Sequence, residues 1–175
     1  FKAGRCGLLV EWGDPGPLQL DDDATAIKGK LYAISGLGSR EVLDRATGKL
    51  VPVSKSNAPH SIDGINYAPF AAFGGWAGAV NKGADQKTKD AAYAFLSYMN
   101  QSAQSSVDVT IGATGYNPYR LSQLSSPDLF VKAGMPQALA ENYIGAINGA
   151  LNSLNMASDM KIPGAQKYTS VVLDT

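Results

Sequence analysis

The sequence predicts a mixed α/β chain with few strands and a helix-rich C-terminal half. The chain has 175 residues, of which 45% are hydrophobic, enough for the core of one ordinary domain. Residues 1–69 contain short apolar runs between turn-forming residues, which is typical of strands and loops. Beyond about residue 86, apolar side chains recur at helical spacing. These patterns divide the chain into three zones, residues 1–69, 70–126 and 127–175.

The first zone is predicted to hold two buried strands and a hairpin. CGLLVEW (Cys6–Trp12) is a short apolar run that stops at the turn GDPGP, and KLYAI (Lys30–Ile34) is a second strand candidate. Asp21–Asp23 lacks the alternating oxygen ligands of a calcium loop, so we expect a solvated acidic turn. DRATGKLVPVS predicts a hairpin around Thr47 and Gly48.

The second zone is predicted to pass from a glycine-rich strand into a helix. AAFGGWAGAVN (Ala71–Asn81) is small and apolar apart from its large aromatic side chains. Asp85 is a candidate N-cap, and a short further helix is expected from about Ser102. GATGYNPYR (Gly112–Arg120) should interrupt regular structure. The first helix carries apolar residues on one face: Ala91, Ala92, Phe95, Leu96 and Met99.

The third zone is predicted to be helical. Pro136 suits the first turn of a helix, and one more short helix is expected in the tail from Ile162. The long helix carries one apolar stripe, formed by Leu139, Tyr143, Ile147, Ala150 and Leu154. It is also rich in amides, which are expected to form a solvated face: Asn142, Asn148, Asn152 and Asn155.

Charge and composition exclude several classes of function. With 15 basic and 15 acidic side chains, the chain gives no electrostatic reason to expect nucleic acid or an anionic membrane as partner. Cys6 is the only cysteine, so an intrachain disulfide or a cysteine-based metal cluster is impossible, and we expect a buried, inert thiol. His60 is the only histidine, so histidine-rich metal sites are also excluded.

The sequence predicts neither catalytic residues nor a cofactor. A Ser–His–Asp arrangement around His60 and Asp63 lacks any nucleophile elbow, so His60 is expected to be a loop residue. Glu11 and Asp14 flank Trp12, but their spacing does not by itself imply acid–base chemistry. The glycines of Gly74–Gly78 do not form a dinucleotide fingerprint.

The large aromatic residues indicate a binding pocket. Trp12, Trp76, Tyr116 and Tyr119 lie beside glycine, aspartate, asparagine or arginine rather than beside bulky apolar residues. This mixture suits a pocket in which rings stack on a ligand and polar groups orient it. The alternative for each tryptophan is ordinary core packing.

Four motifs together resemble a known family. In order they are FKAGRCGLLVEWGD (Phe1–Asp14), FGGWAGAVN (Phe73–Asn81), KTKDAAYAFLSYM (Lys87–Met99) and GATGYNPYR (Gly112–Arg120). Their order and spacing resemble the C-terminal half of extracellular solute-binding proteins of ABC importers, family 1, whose members mostly bind sugars. The resemblance covers most of residues 1–125 and, more loosely, the helical tail.

The resemblance implies a periplasmic-binding-protein-like fold of two lobes, of which this chain forms the C-terminal portion. A small solute, a sugar or oligosaccharide, would bind in the cleft between the lobes. The glycine-rich strand and the Gly112–Arg120 loop would be crossing segments beside that cleft. The implied ligand-binding residues are Trp12, Asp14, Gly75, Trp76, Tyr116, Asn117 and Arg120.

The resemblance also implies partners and a location. The solute would pass to the permease of an ABC transporter, and the protein would be periplasmic or extracellular. Complete family members are about twice as long, so we expect a fragment that requires the N-terminal half or a second chain. Two alternatives stay open: a ligand-sensing receptor ectodomain coupled to a signalling domain, and a carbohydrate-acting enzyme using Glu11 or Asp14.

Overall fold

The chain folds into two compact units, each assembled from two separate stretches of sequence. The computed structural model describes residues 1–21, 23, 26–71, 76–158 and 163–173. The first unit comprises Phe1–Ser35 and Ala77–Gly149, and the second comprises Gly36–Trp76 and Ala150–Thr175. The units therefore cut across the three sequential zones, because residues distant in sequence pack together within each unit.

The first unit is helical in the part of the chain that is described. Its helices are α1 (Pro15–Leu18), α2 (Gln86–Met99), α3 (Ser102–Asp108), α4 (Leu121–Leu124), α5 (Asp128–Lys132) and α6 (Gln137–Leu151), with a 3-10 turn at Gly112–Thr114. The predicted helices after Asp85, from Ser102 and after Pro136 are confirmed. Across the described residues, no helix combines the length and apolar character needed to cross a membrane.

The core of the first unit gathers around α6. Its buried members are Val109, Phe130, Met135, Leu139, Ala140, Tyr143 and Ile144. The ring of Tyr143 meets that of Phe130 edge-on, with centroids 5.1 Å apart. The predicted stripe is confirmed for Leu139, Tyr143 and Ile147, which packs against this core. It is wrong for Leu154, which is exposed because α6 ends at Leu151.

Helix α2 is capped as predicted but is not buried. The Oδ1 atom of Asp85 accepts a hydrogen bond from the backbone N–H of Thr88 at 3.0 Å, and Oδ2 accepts from its hydroxyl at 2.7 Å. None of its fourteen residues, all of which are described, is fully buried. Leu96 is partly covered because the backbone at Gly78 lies against its side chain, whereas Phe95 is exposed.

In its described residues, the second unit has three short strand pairs and a helix near the C-terminus. Strand β1 (Gly38–Ser39) pairs antiparallel with β4 (Asn66–Tyr67), and β2 (Glu41–Asp44) pairs antiparallel with β3 (Lys49–Pro52). Strand β5 (Phe70–Ala71) pairs parallel with β6 (Ala157–Ser158), and α7 spans Ala165–Leu173. The predicted tail helix is thus confirmed. The predicted hairpin is also confirmed, with Gly48 in the left-handed conformation at φ +67°.

Both buried strands predicted near the N-terminus are wrong. Neither Cys6–Trp12 nor Lys30–Ile34 forms a strand, and the side chain of Val10 is 78% exposed. Cys6 is exposed as well, contrary to the expected buried thiol. An apolar run is a strand only where another strand pairs with its backbone, and neither run takes part in the strand pairings of the described residues.

Three of the four amides expected to form a solvated face instead hydrogen-bond to the backbone, so the prediction is wrong for these three. The side chain of Asn142 accepts from the backbone N–H of Ala33 at 2.7 Å and donates to its carbonyl at 3.0 Å. Asn148 donates to the carbonyl of Leu124 at 2.8 Å, and Asn155 donates to that of Tyr67 at 2.7 Å. An amide carries donors and an acceptor, so it can satisfy backbone that has no strand partner.

The acidic turn near the N-terminus is held by one lysine. The ammonium of Lys2 lies 2.9 Å from a carboxylate oxygen of Asp21 and 2.5 Å from one of Asp23. The hydrogen bond to Asp23 is the main reason that the pKa of Lys2 is raised. The turn is therefore partly neutralised rather than only solvated. His60 is exposed in a turn, which confirms its prediction as a loop residue.

Candidate binding site

Two of the segments implied as ligand-binding meet within the first unit. A Cβ atom added to Gly13 would lie 2.5 Å from Oδ1 of Asn117 and 3.3 Å from the side chain of Ile147. The turn Trp12–Asp14 therefore lies against the loop that carries Tyr116 and Asn117, with α6 beside both. Only a residue without a side chain permits this approach.

The sequence GDPGP builds the turn that makes this contact. Pro15 and Pro17 are buried, and the fixed φ of proline suits the start of the short helix α1. A Cβ atom on Gly16 would lie 2.3 Å from the ring of Tyr143. A Cβ atom on Gly112 would lie 2.7 Å from the Cα atom of Leu18. Small residues thus bring α1 close to both α6 and the 3-10 turn.

Four polar side chains of the described residues have a buried oxygen with no partner. One of them, Gln19 (Oε1), lies at the C-terminal end of α1, and the other three lie around this turn. They are Asp14 (Oδ1), Asn117 (Oδ1) and Tyr143 (Oη), and none of these atoms is hydrogen-bonded to a described residue. We call these three residues the Asp14 cluster. Asp14 precedes α1, but its side chain does not cap that helix. Buried polar atoms are hydrogen-bonded in the great majority of cases, so three exceptions around one turn indicate a site.

The Asp14 cluster is electrostatically negative. Burial raises the pKa of the Asp14 carboxyl, and the nearby charge of Glu11 raises it further. Burial also raises the pKa of the Tyr143 phenol, to which the charge of Asp14 contributes. A carboxylate oxygen of Glu11 accepts a hydrogen bond from the backbone N–H of Trp12 at 3.1 Å. Glu11 and Asp14 both belong to this short segment. The cluster therefore favours ligand groups that donate hydrogen bonds or carry positive charge.

A buried polar network fixes the loop that carries Asn117. The side-chain oxygen of Gln123 accepts from the backbone N–H groups of Tyr119 and Arg120, each at 3.1 Å. Its amide nitrogen donates to the hydroxyl of Ser105 at 3.3 Å. Sequence reasoning missed Ser105 and Gln123. A glutamine three residues after Arg120, at the start of α4, is the spacing of a capping box and was the available signal.

Arg120 takes part in the same network. Its Nε atom donates to the hydroxyl of Ser105 at 3.0 Å, and its guanidinium also donates to the carbonyl of Asn100. The guanidinium lies 5.6 Å from the centre of the Tyr119 ring, within range of a cation–π contact. These contacts make Arg120 an anchor of the loop, and its contact with a ligand stays a prediction.

The aromatic residues of the implied site are exposed to different degrees. The side chains of Trp12 and Tyr116 are 50% and 38% exposed, next in sequence to the buried turn and to Asn117. Trp76 belongs to the second unit and is 87% exposed, so the alternative that it packs in a core is wrong. Gly75 lies outside the described residues. Each described ring can therefore offer a face to a ligand.

Tyr143 is a site residue that sequence reasoning placed only in the core. Its ring is indeed buried, with 3% of the residue exposed, but its hydroxyl belongs to the Asp14 cluster. A phenol hydroxyl inside an otherwise apolar stripe was the signal, because a buried hydroxyl needs a partner.

The site offers no sign of a metal centre, and the comparisons with known proteins are negative. Among the residues that the structure describes, no group of three His, Cys, Asp or Glu side chains is arranged to hold a metal ion. No family model, curated protein or solved structure matches this sequence.

Proposed function

We propose that this chain binds a small solute, a sugar or oligosaccharide, for delivery to an ABC importer. One observation carries the proposal: the Trp12–Asp14 turn meets the loop of Tyr116 and Asn117, and buried oxygens there have no protein partner. Sugars present hydroxyl groups that can donate to such oxygens, and their apolar faces stack on aromatic rings.

Each residue of the site has a distinct role in this proposal. The half-exposed rings of Trp12 and Tyr116 stack on the sugar, while Asp14 and Asn117 accept hydrogen bonds from its hydroxyl groups. Gly13 allows the two loops to approach closely enough to serve one ligand. The motif resemblance also implies Trp76 as a ligand-binding residue, and its ring, on the second unit, is exposed.

The proposal extends to location and partners. A protein that captures solute for an importer works outside the cytoplasmic membrane, so we place this one in the periplasm or extracellular space, with a transporter permease as its partner. The same site would serve a receptor ectodomain. The full-length gene distinguishes the two, because a receptor requires a membrane-spanning segment linked to a signalling domain.

The test is a thermal-shift screen of monosaccharides, oligosaccharides, polyols and amino acids. A ligand that binds only the folded state raises the melting temperature, and the stabilisation grows with the logarithm of its concentration above Kd. We expect stabilisation by at least one sugar. A complete absence of stabilisation across the screen, repeated by isothermal titration calorimetry, would rule out the proposal.

Trp76 and an exposed tyrosine provide a variant and its matched control. We expect Trp76→Ala to weaken binding of the sugar found in the screen more than tenfold, about 1.4 kcal/mol, with the fold retained. The fold should survive because the side chain is exposed. Tyr93→Ala removes an exposed ring from α2 and serves as the control, expected to leave the affinity unchanged. Equal affinities of wild type and Trp76→Ala would remove Trp76 from the site.

A carbohydrate-acting enzyme is the second candidate, favoured by one observation. Asp14 is a carboxyl whose pKa is raised by burial and by the charge of Glu11, as in a general acid. Turnover of a glycoside that is lost in Glu11→Gln or Asp14→Asn would support this activity. Intact oligosaccharide after long incubation with the protein would exclude it for that substrate and leave the binding proposal standing.

A further inference from the structure

We infer that the Asp14 cluster selects a solute bearing a primary ammonium group, such as an amino sugar, over its neutral hydroxyl or acetamido counterpart. The inference rests on the proposed function, because it concerns the same site. It specifies which chemical group of the solute binds at the buried end of the site.

The first argument is the number and kind of unpaired atoms. The free oxygens of Asp14 and Asn117 are acceptors only, and the hydroxyl oxygen of Tyr143 can also accept. An ammonium group carries three donors and no acceptor, so it can donate to oxygens of this kind and brings no acceptor of its own that needs a partner. A hydroxyl has a single donor, so it can donate to one oxygen and accept from the Tyr143 hydroxyl, which leaves one acceptor oxygen unpaired.

The second argument is charge. The buried Oδ1 atom of Asp14 makes the charged carboxylate costly, and the negative charge of Glu11 acts on it as well. A positively charged ligand offsets this cost, and hydrogen bonds between an ammonium and a carboxylate are roughly twice as strong as neutral ones. The ring of Trp12, one residue after Glu11, offers a face to a cation as well as to a sugar.

Binding requires the two loops to separate. The three oxygens are buried, so a ligand reaches them when the loop of Asn117 moves away from Gly13. Gly115 precedes that loop in the left-handed conformation, at φ +66°, and a Cβ atom there would meet none of the described atoms within 4 Å. As a glycine in open space, Gly115 allows backbone rotation at this end of the loop, whereas the Gln123 network holds the other end.

The experiment compares glucosamine, glucose and N-acetylglucosamine by isothermal titration calorimetry at pH 6, where the amine is protonated. We expect glucosamine to bind the full chain at least about tenfold more tightly than either neutral sugar. Asp14→Asn should bring the ratio of glucosamine to glucose affinity close to one. Asp63→Asn is the matched control: Asp63 is exposed at φ +50°, a conformation that asparagine tolerates, so the ratio should persist.

Tyr143→Phe keeps the buried ring and removes only the hydroxyl, which provides a second variant if Asp14→Asn fails to fold. It should lower the ratio several-fold. Equal affinity for glucose and glucosamine, or a ratio unchanged in both variants, would overturn the ammonium selectivity while sugar binding stands. If the sugar found in the screen is a different one, the same comparison is made with its amino counterpart. Absence of binding by every solute would overturn the proposed function as well.

Discussion

At the scale of single residues, glycines determine where polar side chains meet. Gly13 admits Asn117 beside the Trp12–Asp14 turn, and Gly16 admits the ring of Tyr143 beside α1. The three members of the Asp14 cluster come from distant parts of the sequence, and these two close approaches bring them together. The site therefore depends on residues that carry no functional group of their own.

A pair of glycine substitutions tests whether the close approach at Gly16 depends on the absence of a side chain. Gly16→Ala would place a methyl group 2.3 Å from the buried ring of Tyr143, so we expect a loss of about 1–3 kcal/mol of unfolding free energy. Gly145→Ala is the control. Gly145 is exposed within α6, and its added Cβ atom would meet no described atom within 4 Å, so alanine should stabilise the helix by about 0.5–1 kcal/mol. Urea denaturation measures both, and equal effects would contradict the packing argument.

Asp14 should reduce the stability of the folded protein at neutral pH. Its pKa is raised above the ordinary value of 3.8, so the folded state binds the proton more tightly than the unfolded state does. Relative stability is then greatest below 3.8 and falls as pH rises through the raised value. We expect Asp14→Asn to increase the unfolding free energy at neutral pH.

The pH dependence of that gain supplies the check. It should shrink as the pH is lowered and disappear below 3.8, where wild-type Asp14 becomes protonated in both states. Urea denaturation of wild type and variant across this range measures the difference. A variant that is less stable than wild type at neutral pH would show that Asp14 has a stabilising partner in solution.

At the scale of elements, buried polar contacts hold segments that lack regular structure. Gln123 and Ser105 hold the loop of Asn117. The amide of Asn142 holds the segment around Ala33, which does not form the predicted strand. In both cases a side chain satisfies backbone groups that a strand pairing would otherwise satisfy. Such segments can present side chains to a ligand without forming a continuous sheet.

Gln123→Met tests the role of this network. The substitution keeps the volume but leaves the backbone N–H groups of Tyr119 and Arg120 without their acceptor, so we expect a loss of about 1–3 kcal/mol of unfolding free energy. Gln137→Met is the control, because Gln137 is exposed at the start of α6 and its change should stay within about 0.5 kcal/mol. Comparable losses in the two variants would show that the network does not stabilise the loop.

At the scale of the whole molecule, the two units differ in how much they bury. The first unit contains a cluster of large buried side chains around Phe130 and Tyr143. In the described part of the second unit, the buried apolar residue is Ala58, and the hairpin side chains Leu43 and Leu50 are exposed. Because stability is distributed according to buried contacts, the units should open with different free energies.

Hydrogen exchange measured by mass spectrometry tests this difference. We expect amides of the β2–β3 hairpin to exchange at least about a hundredfold faster than those of α6, an opening free energy lower by about 2.8 kcal/mol. The comparison is made between hydrogen-bonded amides, Val51 in the hairpin and Tyr143 in the helix. Equal protection of the two would indicate that both units open in a single global transition.

Local signals determined much of the element structure. The sequence predicted the cap at Asp85, the turn at Gly48, the helix after Pro136 and the tail helix, because each depends on neighbours within a few residues. The strands at Cys6–Trp12 and Lys30–Ile34 were not, because a strand exists only when a distant segment pairs with it.

The sequence by itself determined the four longer helices, α2, α3, α6 and α7, and the hairpin. It named Asp14 and Asn117 individually, from a resemblance in motif order. Only the tertiary structure decided that these two lie on adjoining loops, that Tyr143 joins them, and that Arg120 is held by Ser105. The reason is physical: helix caps and turns are fixed by short-range backbone geometry, whereas burial, pKa shifts and unpaired atoms arise from contacts between residues far apart in the chain.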